Sequence, residues 1–392
     1  MSNVQPPNGA GELSLCLSSY YHFGGRWVLG LPALVWGEPG EGKTSFVYWV
    51  SRGRPVCVLV GSTHDPTDFS GLPVADRDNE TGHRRVVFAE PHFVREVSND
   101  GVLFLDELTT SPPLVQGVML RLVLERSCGS YRLPDRVRVV SAANPPSSGS
   151  SVSFALHHAL ANRFIHIEWE MPVRTYTTAL REGWDAVYNG TQLVEPDLER
   201  FVFEKKRAQL IVSAYLDSHP TSFRGKPGDG KGVLSYAFPS PRTWDFVSSL
   251  VAGARLGGFP DKVLSNCVCG CVGPEEALKF WKYWKSLKLL GGGDVVSGRW
   301  SKQDLENMRD DELQIVCSDA VAYWLSHPSK EGLNNVLEFA LAVCEKGVLD
   351  GAYPGVRVLV RSGLAPQHCD NRGKELFRKV GFYMKEAVQV LK

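Results

Sequence analysis

Gly37-Glu38-Pro39-Gly40-Glu41-Gly42-Lys43-Thr44 is the stretch on which the reading of this chain turns. Its pattern is a glycine, four residues, then Gly-Lys-Thr. It stands between an apolar run, Leu31 to Trp36, and a segment that reads as a helix through Trp49. Strand, glycine-rich loop and helix in that order form a phosphate-binding loop. Glycines are needed because successive N–H groups must turn inward around a β-phosphate, in conformations that a Cβ obstructs. Lys43 is placed to bridge β- and γ-phosphates, Thr44 to ligate Mg²⁺, and the helix start adds its positive dipole end. The predicted contact residues are Gly37, Glu38, Pro39, Gly40, Glu41, Gly42, Lys43, Thr44 and Ser45.

Outward along the chain, Val102-Leu103-Phe104-Leu105-Asp106-Glu107 is a buried-strand pattern that ends in two acids. Such a strand projects Asp106 toward the magnesium, making Thr44 and Asp106 the metal pair. Glu107 is left beside the γ-phosphate, where it can polarise a water. The next strand pattern ends in Ser141-Ala142-Ala143-Asn144-Pro145. The Asn144 amide is placed to donate to the attacking water or the γ-phosphate, while Pro145 stops the strand.

Composition bounds the alternatives. The chain has 392 residues, with 43% hydrophobic and 22% charged, which argues against a disordered or fibrous protein. Lys plus Arg equals Asp plus Glu at 43 each, so a dedicated nucleic-acid coat is disfavoured. No apolar run approaches the ~20 residues of a membrane span, and no secretory signal opens the sequence. Nine cysteines without such a signal point to a reducing cytoplasm, with no disulfide framework.

Strand and helix patterns alternate in the first half, as in a parallel sheet flanked by helices. Leu31–Trp36, Pro55–Val60, Val102–Leu105, Arg136–Ala142 and Phe164–Trp169 are the strand segments. Ser111-Pro112 reads as an N-cap, and Leu114, Val118 and Leu122 as one helix face. Asp68 to Phe88 reads as a hairpin insertion. Past Pro172 the patterns turn helical: 196–219, 241–256 and 274–290, the last stopping at Gly291-Gly292-Gly293. The predicted organisation is an α/β core over 1–175, a helical lid over 176–292 and a helical C-terminal extension over 293–392.

The ordered set Gly37–Thr44, Leu103–Glu107, Asn144-Pro145, Asn162-Arg163-Phe164 and Ser240-Pro241-Arg242 resembles the AAA+ ATPases, and within them the MoxR family. Asp68-Phe69-Ser70-Gly71 before the hairpin and Pro112-Pro113-Leu114-Val115-Gln116 are similar family features. The resemblance covers about residues 20–290. It implies a P-loop AAA+ core with a parallel sheet, and ATP hydrolysis with ATP and Mg²⁺ as cofactors. Arg163 stands where the family has an arginine finger that reaches the neighbouring subunit's γ-phosphate, and Arg242 stands at the second sensor. A self-assembled ring follows from the finger, by resemblance a hexamer. The implied work is remodelling or maturing a client protein with a von Willebrand factor A-domain partner, the hairpin touching the client. Here Asn162 replaces the family's aspartate, and Leu108-Thr109-Thr110 replaces Ile-Asn-Arg. Two other readings stand beside this one: a nucleic-acid-directed motor or energy-supplying subunit of a nuclease, and a non-hydrolysing ATP-dependent switch.

Other signals are weaker. Cys267-Val268-Cys269-Gly270-Cys271 lacks the paired knuckles of a zinc site and reads as small apolar side chains. Lys279, Lys282, Lys285 and Lys288, interleaved with Trp281 and Trp284, read as the solvated face of a helix, although such a pattern can also grip a nucleic-acid backbone. His157-His158 reads as a structural pair.

Overall fold

The computed structural model describes residues 5–77, 83–97, 99–129, 131–145, 154, 156–188, 191–228 and 232–390. Five parallel strands form the central sheet: β1 (Ala33–Trp36), β2 (Val56–Val60), β3 (Val102–Asp106), β4 (Arg138–Ala143) and β5 (Ile165–Glu168). Their spatial order is β5-β1-β4-β3-β2. All of β1 and β4, and β3 up to Asp106, is buried, as continuous apolar runs covered on both faces should be. Register brings the carboxyl ends to one edge: Trp36 pairs with Ala143 and Glu168, and Asp106 with Val60. This is an α/β core built on a five-stranded parallel sheet. The strand bearing the acids is separated from the strand that feeds the glycine loop by β4, which carries Asn144 at its end.

The principal helices are α1 (Ala10–Ser18), α2 (Lys43–Ser51), α3 (Pro113–Leu124), α4 (His158–Ala161), α5 (Val173–Glu182), α6 (Leu198–Ser218), α7 (Pro241–Gly257), α8 (Asp261–Val272) and α9 (Pro274–Ser286). α3 begins one residue later than Ser111-Pro112 suggests. The Ser111 hydroxyl donates to the Glu107 carbonyl, so it caps no helix. The buried face of α3 is Val115, Met119, Leu122 and Val123, leaving Leu114 exposed. α5 buries Thr175, Thr178 and Ala179 and turns Val173, Tyr176 and Leu180 to solvent. The hairpin pairs Pro73–Arg77 with Arg84–Phe88 and exposes Val74 and Val86, while its tip at 78–82, with Gly82, lies outside the described residues.

The chain divides into two compact units, Met1–Lys205 with Thr221–Lys279, and Lys206–Pro220 with Phe280–Lys392. These boundaries are not those at 175 and 292. In the second unit the Tyr215 ring packs on Phe280 and Tyr283 at 5.2 and 5.4 Å. The second unit is helical, built on α10 (Asp310–Ser326), α11 (Lys330–Glu345), α12 (Leu349–Arg361) and α13 (Asn371–Val390). Its core includes the stripe Leu333, Val336, Leu337, Ala340 and Val343. Gly291-Gly292-Gly293 opens a short helix, Gly292–Val296, whereas α9 already stops at Ser286. No helix among the described residues is long and apolar enough to cross a membrane.

Candidate functional site

The loop from Gly37 to Gly42 leaves β1 at the carboxyl edge and feeds α2. Gly40 and Gly42 take φ of +84° and +76°, backbone that a side chain resists, and Gly42 is the N-cap of α2. The loop is pinned from both sides. The Gly37 N–H donates to the Ala143 carbonyl at 3.2 Å, and the Trp169 indole N–H donates to the Glu41 carbonyl at 2.9 Å. Lys43 Nζ lies inside the loop, donating to the Gly37 and Glu38 carbonyls at 2.6 and 2.9 Å. Burial holds the Lys43 ammonium below the usual lysine range, with Asp106, Glu41 and Glu38 acting against that. Glu38, Pro39, Gly40 and Ser45 are exposed and Glu41 and Thr44 half-buried, so the loop opens to solvent.

Thr44 Oγ1 donates to Asp106 Oδ2 at 3.3 Å, joining the start of α2 to the end of β3. Two hard oxygens at that separation suit Mg²⁺, which takes one or two protein oxygens and completes its shell with phosphate and water. The glycine loop with its lysine suits a polyphosphate. The residues present therefore fit Mg²⁺ and a polyphosphate. Asp106 Oδ1 also accepts the Glu107 N–H at 2.8 Å, and Glu107 has φ +56°, ψ +42°, a left-handed backbone that swings its carboxylate out of the strand line. That carboxylate accepts the Ser62 hydroxyl at 2.6 Å and the Thr110 hydroxyl at 3.3 Å. Asn144 directly follows Ala143, whose carbonyl holds Gly37, so it stands half-buried beside the loop.

Arg163 and Arg242 come together at a second place. Asn162 Oδ1 accepts from Arg242 Nη1 and from the Ser240 hydroxyl, both at 3.0 Å. Arg163 Nη1 donates to the Ala159 carbonyl of α4 at 2.7 Å. Burial lowers the Arg242 pKa, and the Arg163 charge adds to the effect. Arg163 Nε is buried with no hydrogen-bond partner among the described residues. The two guanidinium groups thus point to Asn162 and α4, and the loop residues hydrogen-bond elsewhere.

No protein-family model and no curated protein matches the sequence. Among solved structures, the chain is similar to a protein from Cytophaga hutchinsonii described as a "putative ATPase". Identity is 13%, coverage is 71% of this chain and 87% of that one, and the TM-score is 0.42. A likeness of that size says nothing of activity, which rests on the geometry of the loop and the acids.

One wall of the site has no signal in the sequence. A cleft of about 940 Å³ adjoins Gly37, Glu38 and Glu41 and is lined also by Asn8 and by Val263 and Asn266 of α8. Asn266 Nδ2 donates to Glu12 Oε1 at 2.7 Å, fastening α8 to α1. These residues belong to no motif; the packing of α8 brings Val263 and Asn266 to the loop, and pairing with Glu170 brings Asn8. Among the weaker signals, Cys267 and Cys271 are fully buried on α8, and no described group of three His, Cys, Asp or Glu is arranged to hold a metal. His157 Nδ1 accepts the Ala159 N–H, capping α4. Lys282, Lys285 and Lys288 are exposed, and Lys279 pairs with Glu275 and Glu276.

Proposed function

We propose that the chain is an ATP-hydrolysing ring protein of the MoxR type that remodels or matures a client protein, with a von Willebrand factor A-domain protein as partner. The observation that carries the reading is the meeting of Thr44, Asp106 and Glu107 at the mouth of the glycine loop, one strand away from Asn144. Lys43 and the loop N–H groups bind the β- and γ-phosphates. Thr44 and Asp106 hold Mg²⁺, which when bound neutralises charge on the phosphate oxygens. Glu107 orients a water and takes its proton, and Asn144 donates to the γ-phosphate or to that water.

The role of Arg163 supports a homo-oligomer, by resemblance a hexamer. A buried guanidinium N–H without an acceptor costs about 1–3 kcal/mol, which an anion from a neighbouring copy would relieve. Arg242 donates to Asn162, the residue just before Arg163, so this reading places both arginines on the finger side. The exposed Val173, Tyr176 and Leu180 on α5 offer a surface for such a neighbour. The exposed Val74 and Val86 of the hairpin suit contact with the client.

Phosphate release and particle mass, measured for wild type, Glu107→Gln and Arg163→Ala, test the reading. Glu107→Gln keeps ATP binding and loses about 10²–10⁴ in turnover. Arg163→Ala keeps nucleotide affinity and loses about 10³–10⁵. Mixing Arg163→Ala with Lys43→Ala restores part of the activity, because an intact loop then meets an intact finger. An assembled wild type that binds ATP and releases no phosphate would instead be a switch. Turnover stimulated by DNA, with a steep salt dependence, would make it a nucleic-acid motor.

A further inference from the structure

His166 is the middle residue of a buried chain that runs from the phosphate loop to the finger. It lies on β5 opposite Leu34, is 1% exposed, and carries a titratable ring that the chemistry above does not use. The Trp36 indole N–H donates to His166 Nδ1 at 3.0 Å. Trp36 is the last residue of β1, immediately before Gly37. Since an indole N–H can only donate, Nδ1 is the acceptor and the ring proton sits on Nε2. That nitrogen lies 3.1 Å from the Ala161 carbonyl and donates to it. Ala161 ends α4, and Asn162 and Arg163 follow at once.

The ring is held on its faces as well. The Tyr236 ring stacks on Trp36 at 5.2 Å with 6° between planes, and on His166 at 6.1 Å. Burial pushes the His166 pKa down to about 4, so the ring stays neutral near pH 7 and keeps one donor and one acceptor. A neutral imidazole with a fixed tautomer is a strut of set length. It ties the strand that presents the loop to the turn that presents the finger.

We propose that His166 is a positioning residue: through Trp36 and Ala161 it locks the phosphate loop and the Asn162-Arg163 turn of one protomer into a single body. Nucleotide bound in a protomer's own loop then sets the finger that this protomer offers to the next. The inference rests on the reading above, in which the loop binds ATP and Arg163 acts across a subunit boundary.

Hydrogen exchange by mass spectrometry on the full chain, with and without a slowly hydrolysed ATP analogue and Mg²⁺, tests it beside steady-state kinetics. In wild type, nucleotide protects the amides of 37–46 and also those of 160–164. His166→Phe keeps the first protection and loses the second. Its kcat falls about 10–100-fold, the size expected of a finger displaced by about 1 Å, with unchanged affinity for the analogue. His166→Gln, whose amide N–H takes the place of Nε2–H, recovers most of the turnover. Trp36→Phe keeps a smaller aromatic ring in the stack and removes the indole N–H. It reproduces the His166→Phe pattern and serves if that variant does not fold.

If 37–46 is protected in wild type but 160–164 is not, or if 160–164 is protected equally in the variants, the proposal falls alone. Loss of analogue affinity in step with kcat also overturns it, since that marks general damage. If nucleotide leaves 37–46 unprotected in wild type, the ATP reading fails and this one with it.

Discussion

Glu107 shows how much a single residue owes to its surroundings. Its left-handed backbone costs a residue with a Cβ about 1 kcal/mol or more, and the Asp106 carboxylate and the Ser62 hydroxyl hold it there. The glutamate is legible in the sequence as the second acid after an apolar strand. Its conformation and its Ser62 partner are not, because Ser62 comes from the end of a different strand. His166 shows the reverse: nothing adjacent in sequence marks it, and only enclosure defines its chemistry. Its pKa is about 4 when folded, against an ordinary value of about 6.5 in the unfolded chain. The unfolded state therefore binds more protons between those values, and protonation favours unfolding. The contribution is fully present above pH 6.5 and is lost as pH falls toward 4, on the order of 3 kcal/mol in all. Urea unfolding midpoints measured from pH 7 to pH 4 should decline, and His166→Gln should flatten that decline. An equally steep decline in the variant would assign it to other groups.

At the scale of elements, periodicity locates helices well and their buried faces less well. Of the apolar row Leu114, Val118 and Leu122 on α3 only Leu122 is buried, and Val115, Met119 and Val123 complete the face turned to the core. α5 departs further, burying threonines whose hydroxyls have partners, such as Thr175 on the Gln5 carbonyl, and exposing its larger apolar side chains. α8 reads as a cysteine cluster in the sequence, but its decisive residue is Gly270. A Cβ there would lie 2.1 Å from the His166 carbonyl oxygen, so glycine is what lets α8 press on β5. A pair of substitutions makes the point measurable. Gly117→Ala in α3 meets nothing within 4 Å and should raise stability by about 0.5–1 kcal/mol, as Gly→Ala does in an open helix interior. Gly270→Ala has the same helical gain but forces the helix off the strand, and should lose about 1–3 kcal/mol net. Thermal melts of both variants against wild type check this; shifts in the same direction would show that α8 has room to move.

For the molecule as a whole, two compact units imply two cooperative transitions in calorimetry. Only the unit that holds the loop should respond to nucleotide. At a hundred times Kd, ligand adds about 2.7 kcal/mol, and at about 2 °C per kcal/mol for a unit of this size its midpoint should rise by roughly 5 °C. A single transition, or equal shifts of two, would contradict that division. Sequence alone located the glycine loop, the acidic strand end and Asn144. Each is a local grammar, set by a few consecutive residues and the backbone they share. It also determined that the first half is a parallel α/β sheet, since doubly covered strands must be apolar throughout. Only the tertiary structure decided the rest. The order β5-β1-β4-β3-β2, the cleft wall from Asn8 and Asn266, the sharing of Asn162 by Ser240 and Arg242, and the Trp36–His166–Ala161 chain all join residues far apart in sequence. Such contacts depend on which apolar faces meet when the core closes. Helices of similar apolar content can close in several ways, so their sequences leave that choice to the packing of the whole.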